Sequence, residues 1–257
     1  MSRLTLFADH KGPRRICNVL GIGVASAIIL MASTPIRAQG RGNAAPARTA
    51  QQSAPIDLTG YWVSFVTEDW RFRMVTPAKG DYARVPLSPE GRKVADSWNP
   101  TADETAGNQC KAFGAANIMR VPGRFHITWQ DATTLRVDTD AGMQTRSLHF
   151  TSAPPSPERT WQGDSTANWD ATARSLKVVT TNLRPGYLRF NGVPYSERTT
   201  LTEFYDLAPH ADGGQLLVLT SIVDDPQYLQ RPFIVSSHFK KESDGSKWSP
   251  TPCTARW

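Results

Sequence analysis

From Asp57 onward the chain reads as short apolar runs rich in Val, Thr, Leu, Phe and Trp, each closed by Gly, Pro, Asp or Asn. That spacing is the mark of an antiparallel sheet. The runs predict strands at Leu58–Thr67, Trp70–Thr76, Phe125–Gln130, Thr134–Asp138, Gln144–Thr151, Ser175–Thr181, Arg198–Leu207, Gln215–Val223 and Phe233–Lys240. So much strand and so little helix predict an all-β domain, an antiparallel closed barrel or a sandwich of about nine strands. In the second run Trp70, Phe72 and Met74 alternate with Arg71 and Arg73, so one face is expected to be bulky and apolar and the other charged. In the third, Phe125, Ile127 and Trp129 share one face, and His126, Thr128 and Gln130 the other. One short helix is expected over 88–98, lying across an open end or edge of the sheet. Ser88 is its N-cap, Pro89 its first residue, and Val94 and Trp98 form an apolar stripe.

The N-terminal part of the chain has a different texture. Arg14-Arg15 precedes an apolar run from Ile16 to Ala32 and then Ser33-Thr34-Pro35-Ile36-Arg37-Ala38. This is the pattern of a signal peptide over 1–38, cleaved after Ala38, and it implies a periplasmic or secreted protein without stable membrane insertion after cleavage. Residues 39–56 are Ala, Gln, Gly and Pro with almost no large apolar side chain, which predicts a disordered linker before a single β-rich domain at 57–257.

Charge and cysteine content change the picture in two ways. The chain carries a net charge of +6, but Arg3, Lys11, Arg14, Arg15 and Arg37 against Asp9 account for +4 of it, leaving +2 beyond residue 38. A basic partner-binding surface is therefore not implied, and no nucleic-acid role is expected. With Cys17 inside the signal peptide, Cys110 and Cys253 remain as a pair in an oxidising compartment, and a disulfide is predicted between them. No C-x-x-C pair, clustered His, H-E-x-x-H, Gly-rich phosphate loop, EF-hand loop or G-x-S-x-G elbow occurs. Accordingly no metal and no cofactor is expected.

Gly60-Tyr61-Trp62, at the start of the first predicted strand, resembles the G-x-W opening of lipocalins. That resemblance implies a lipocalin-like barrel with the Trp packed across its closed end. A longer set of motifs runs through Trp161-Gln162-Gly163-Asp164-Ser165, Trp169, Leu176-Lys177-Val178-Val179-Thr180-Thr181, Asn191-Gly192-Val193-Pro194-Tyr195-Ser196, Leu201-Thr202-Glu203-Phe204 and Asp224-Asp225-Pro226. In this order they resemble a widespread group of uncharacterised secreted bacterial proteins, with the pattern W-x-G-x-S, W-E-G-D-x-L-x-V-x-T, G-x-P-x-S, E-x-F and D-P. Ala171-Thr172-Ala173-Arg174 stands where that group has its compact E-G-D turn. The resemblance implies an exported β domain and carries no catalytic residue with it.

Candidate site residues come from the residues themselves. His126, His149 and His238 lie mid-strand, where a histidine is more often a satisfied or solvent-facing residue than a ligand, and the sharper alternative is that three inside one barrel converge on its lumen. The run Arg184-Pro185-Gly186-Tyr187-Leu188-Arg189 adds a tyrosine between arginines, suited to an anionic or phenolic ligand, and Asp224-Asp225-Pro226 reads as a capped turn. The first functional expectation is a small-molecule-binding module for a partly apolar or aromatic ligand. Trp62, Trp70, Phe72 and Trp129 would line it, and Arg71, His126 and Arg189 would orient the ligand. The second is a cofactor-independent lyase, isomerase or hydrolase with His126 or His149 as general base beside Tyr187 or an Asp. The third is an interaction partner in an envelope assembly, with apolar residues gathered on an outer patch.

Overall fold

The computed structural model describes residues 47–152 and 155–256. The predicted signal peptide, with Cys17, and residues 39–46 of the predicted linker lie outside the described residues. The described residues belong to one compact unit.

Nine strands close into a barrel. They are β1 (Gly60–Ser64), β2 (Arg124–Asp131), β3 (Thr134–Thr139), β4 (Thr145–His149), β5 (Asp164–Asp170), β6 (Ser175–Thr181), β7 (Thr200–Pro209), β8 (Gln215–Asp224) and β9 (Phe233–Glu242). Each strand pairs with its neighbour in sequence, and β9 returns to pair with β1 through Tyr61 opposite Glu242. An odd ring cannot alternate direction all the way round. The mismatch is taken up between β4 and β5, which run parallel with Leu148 opposite Ser165 and His149 opposite Thr166.

Alternation fills the interior. Trp62, Phe125, Ile127, Leu135, Val137, Leu148, Ala167, Leu176, Val178, Tyr205, Leu217, Leu219 and Phe239 are all buried in one continuous core. The indole of Trp62 has no exposed surface, and its Nε1 donates to the Leu58 carbonyl at 2.9 Å. Within this apolar lining β4 to β7 contribute a polar layer. Arg146 donates both Nη atoms to the Glu203 carboxylate at 3.0 and 2.5 Å, Thr180 lies 3.4 Å from Arg146 Nη2, and Ser165 is 2.8 Å from Thr180. Burial works against the Arg146 charge, but the facing carboxylate more than restores it and holds the guanidinium above its ordinary value.

The two ends differ. Tight turns close the lower end, where residues 49–56 dock as a turn instead of forming the expected free linker. Gln51 N–H donates to the Ala132 carbonyl at 3.1 Å, Trp169 Nε1 to the Ala50 carbonyl at 2.9 Å, and Ile56 packs on the core. Composition pointed to disorder, but these backbone groups find partners on the turns between strands.

The connections 65–123, 182–199 and 225–232 gather at the upper end and build a cap over it. They carry α1 (Trp70–Arg73), α2 (Pro89–Asp96), α3 (Pro100–Thr105), a 3-10 turn at Lys111–Phe113 and α4 (Ala115–Ile118). Ser88 caps α2 as expected, accepting from Gly91 N–H at 3.0 Å, and Asn99 caps α3 by accepting from Ala102 N–H at 3.2 Å. A second core, with Leu87, Ala95, Leu188, Val193, Tyr195 and Phe233, joins cap to barrel. Asp225 is fully buried and accepts from Ser196 Oγ, Thr199 Oγ1 and the N–H groups of Gln227 and Tyr228, so the Asp-Asp-Pro turn is capped as its sequence suggests.

The strand expected at Trp70–Thr76 is not one. Asp69 adopts a left-handed backbone (φ 53°) and the chain winds into the single turn α1. There the period is that of a helix, so Phe72 and Arg73 are buried together while Trp70 and Met74 face solvent. The bridge between Cys110 and Cys253 is present, spanning 143 residues, and Thr251–Pro252 beside it pairs with Ala141–Gly142.

Glu203→Gln leaves the Arg146 guanidinium buried without its counter-charge and is expected to destabilise the domain by about 3–5 kcal/mol in urea denaturation. The double variant Arg146→Met, Glu203→Leu is expected to lose clearly less than that. Cys110→Ser is expected to lower the melting temperature under non-reducing conditions, since a loop of this length contributes at most about 5 kcal/mol. An unchanged melting curve would remove the bridge from the account of stability.

Candidate functional site

With the barrel filled, open space lies on the cap and outer wall. One such space is a cleft of about 270 Å³ between α2, α3 and the short hairpin Gly186–Tyr187/Pro194–Tyr195. Trp98, Asn99, Asp103, Lys111, Tyr187 and Tyr195 are among its lining residues.

Local sequence explains how these residues meet. The Asn99-Pro100 cap starts α3 and sets Asp103 in its first turn. The chain then returns through the 3-10 turn, which brings Lys111 Nζ within 2.6 Å of Asp103 Oδ1. From the hairpin the Tyr187 hydroxyl donates to Asp103 Oδ2 at 2.7 Å, and Lys111 Nζ lies 5.3 Å from the centre of the Tyr187 ring. Gly192 at the hairpin tip has φ 81° and lies against the Trp98 side chain, so any side chain there would be strained and would collide with that indole. Neighbouring Asn191 ties the tip down by donating from Nδ2 to the Ala78 and Asp81 carbonyls at 3.1 and 3.0 Å.

Burial, and then the hydrogen bond to Asp103, push the Tyr187 phenol well above its ordinary ionisation. Tyr187 is thus a neutral hydrogen-bond donor held by a carboxylate, beside a cation and an indole. Such a site can grip a small ring and satisfy one polar group on it.

The other predicted residues do not assemble into one pocket. Trp62 is core. Trp70 is 63% exposed, and Arg71 is an exposed partner of Asp81 at 2.6 Å. Trp129 is half-buried at the lower end with Phe150 and Trp169, their ring centres 5.2–6.5 Å apart. The histidines do not converge on a lumen, because all three occupy outward positions on their strands and the inward positions are taken by the core. His126 stacks flat on Tyr61 at 3.9 Å and lines an outer groove with Asp138, Met143, Gln144 and Trp248. Burial lowers its basicity while Asp138 opposes that change. His149 lies 3.4 Å from Thr134 Oγ1, and His238 lies 3.0 Å from Glu68.

Two expected residues are brought together. The Arg189 guanidinium lies 4.0 Å from the centre of the Phe72 ring, in a part of the cap distinct from the cleft. Asp103 and Lys111 were missed, although Asn99-Pro100, the same N-cap and Pro pattern as Ser88-Pro89, marked the helix that presents Asp103.

Among the described residues no helix is long and apolar enough to cross a membrane, and no group of three or more His, Cys, Asp or Glu is arranged to hold a metal ion. Set against known proteins, the chain matches no family model, no curated protein and no solved structure.

Tyr187, Tyr195 and Tyr205 are all held above the ordinary phenol value, first by burial. Unfolding releases them to ionise near pH 10, so their contribution to stability is complete below about pH 10 and is lost as the pH rises from there. Urea midpoints are therefore expected to fall steeply as the pH is raised from about 10 to about 12. A flat profile would mean that these phenols are not protected in the folded protein.

Proposed function

We propose that this chain is an exported small-molecule-binding protein for a partly apolar or aromatic ligand, and that its site is the cap cleft and not the barrel lumen. The observation that carries the reading is the grouping of Trp98 and Tyr187 around an open cleft with Lys111 and Asp103, with Tyr195 fully buried behind them. A cleft of about 270 Å³ suits a ligand of one or two rings. Lys111 supplies a donor for a ligand acceptor, and Asp103 keeps both Lys111 and Tyr187 in place.

Export rests on the pattern of residues 1–38, with the Cys110–Cys253 bridge in keeping with an oxidising compartment. The reading as a histidine-based lyase, isomerase or hydrolase has less support. His126 is stacked against Tyr61 on the outer wall, and the protected phenol of Tyr187 is a poor base near neutral pH. An envelope interaction role draws on one observation, the exposed Phe65, Trp70, Met74 and Val75 in a single segment.

The test is saturation-transfer NMR on the purified protein with a panel of phenols, aromatic amines and aromatic amides. A binder in the panel is expected to lose at least about tenfold in affinity on Trp98→Ala and on Lys111→Met, and nothing on His126→Ala. Loss confined to His126→Ala would move the site to the outer groove. Absence of any binder, together with an empty protein in native mass spectrometry of material from its own source, would end the ligand-binding reading.

A further inference from the structure

The other face of the cap holds an unusual concentration of buried positive charge. The side chains of Arg73 and Arg189 are 1% exposed and that of Arg120 is 4% exposed. They come from α1, from the loop after α4 and from the hairpin, and meet around Asp69. Asp69 Oδ2 accepts from Arg120 Nη2 at 2.7 Å and lies 3.8 Å from Arg189 Nη2, while Oδ1 is 3.3 Å from Arg84. Arg73 pairs with Glu68 and donates from Nε to the Arg120 carbonyl at 2.9 Å. Glu68 is also shared with His238.

The local charges do not balance. Five guanidiniums, Arg71, Arg73, Arg84, Arg120 and Arg189, face three carboxylates, Glu68, Asp69 and Asp81, an excess of two positive charges. Nor do the hydrogen bonds. Arg73 Nη2 and both Nε and Nη2 of Arg189 are buried without a hydrogen-bond partner. Leaving such donors unmet is costly, more so on charged groups. Burial, joined for Arg120 by repulsion from Arg189, pushes Arg120 and Arg189 down to about 10, so both remain charged at neutral pH.

The surroundings are aromatic. Arg189 lies 4.0 Å from the Phe72 ring centre and 5.9 Å from that of Phe233, and Arg120 lies 5.3 Å from Phe233. The cluster meets solvent at Arg71 and Arg84, whose side chains are 65% and 74% exposed, while Asp69 is 13% exposed and in left-handed backbone. A carboxylate held among guanidinium forks by a residue in an unfavourable conformation has the form of an internal stand-in for a ligand.

We propose that the Arg73–Arg120–Arg189 cluster is a binding site for the carboxylate of a small organic acid with an aromatic body. The ligand's carboxylate takes the free donors of Arg73 and Arg189 in competition with Asp69, and its ring rests against Phe72 and Phe233. Planar guanidinium forks favour a carboxylate, and a partner that is aromatic as well as anionic uses both halves of the site. This site is separate from the cap cleft and stands or falls independently of it.

Benzoate is the probe, with benzyl alcohol as the uncharged control and inorganic phosphate as the alternative oxyanion, all at fixed ionic strength in chloride. Calorimetric titration is run on wild type, Asp69→Asn and Arg189→Lys. Asp69→Asn removes the internal competitor and is expected to bind benzoate about tenfold more tightly than wild type, with its melting temperature restored by the ligand. Arg189→Lys keeps the charge, loses the fork, and is expected to lose binding at least about tenfold. Benzyl alcohol is expected to have no effect. The proposal is overturned if benzoate binds neither wild type nor Asp69→Asn, if phosphate binds as well as benzoate, or if Asp69→Asn binds no better than wild type. Should Arg189→Lys fail to fold, the comparison of Asp69→Asn with wild type decides.

Discussion

Inside the barrel one guanidinium meets one carboxylate, and the arrangement of four strands follows from that contact. Arg146 on β4 reaches Glu203 on β7 past two intervening strands, which is possible only because β5 and β6 present Ser165, Ala167, Val178 and Thr180 inward at that level and no larger side chain. The pair is a poor source of net stability, since both ions leave water to make it. Its effect is on register. Sliding either strand by one residue would turn a charge outward and an apolar neighbour with it, so the ion pair and the apolar lining specify the same alignment.

A barrel fixed in this way fills its interior with core side chains, and the cleft and the arginine cluster lie in the cap above it. The strand connections do the same from the topological side. With nine strands in strict sequence order and one parallel pair, the long segments cluster where β1 ends and β9 begins. The hairpin around Asn191-Gly192 is the common element. Tyr187 belongs to the cleft, and Arg189, two residues later, belongs to the arginine cluster.

Much of the sheet could be read from alternation. Ser175–Thr181 and the core of β8 and β9 are strongly β-branched or apolar, and the capped helix at Pro89 announced itself through Ser88 and Pro89. β5 was hidden because its inward residues are small: Asp164-Ser165-Thr166-Ala167 looks like a turn until the ion pair that needs that space is known. α1 was misread because Trp70, Phe72 and Met74 alternate with Arg71 and Arg73 over only five residues, a run too short to separate a strand's period of two from a single helical turn. Yet the sequence did hold a clue to the buried pair. Leu201, Glu203, Tyr205 and Leu207 share a face, and an acid on an apolar face demands a cation. The arginine cluster joins Asp69 with Arg189, more than a hundred positions away, and the cleft joins Asp103 with Tyr187, 84 positions away, and no local pattern reports such meetings.

The disulfide encloses nearly the whole barrel. Strands β2 through β9 lie in the loop between Cys110 and Cys253, and only β1 lies outside it. The two sulfurs come within reach once the tail beyond β9 has turned back to lie beside Ala141–Gly142, which itself follows β3. Closing the bridge therefore ties the tail beyond β9 to the start of the 3-10 turn that carries Lys111, so one covalent bond joins the last pairing of the chain to the wall of the cleft.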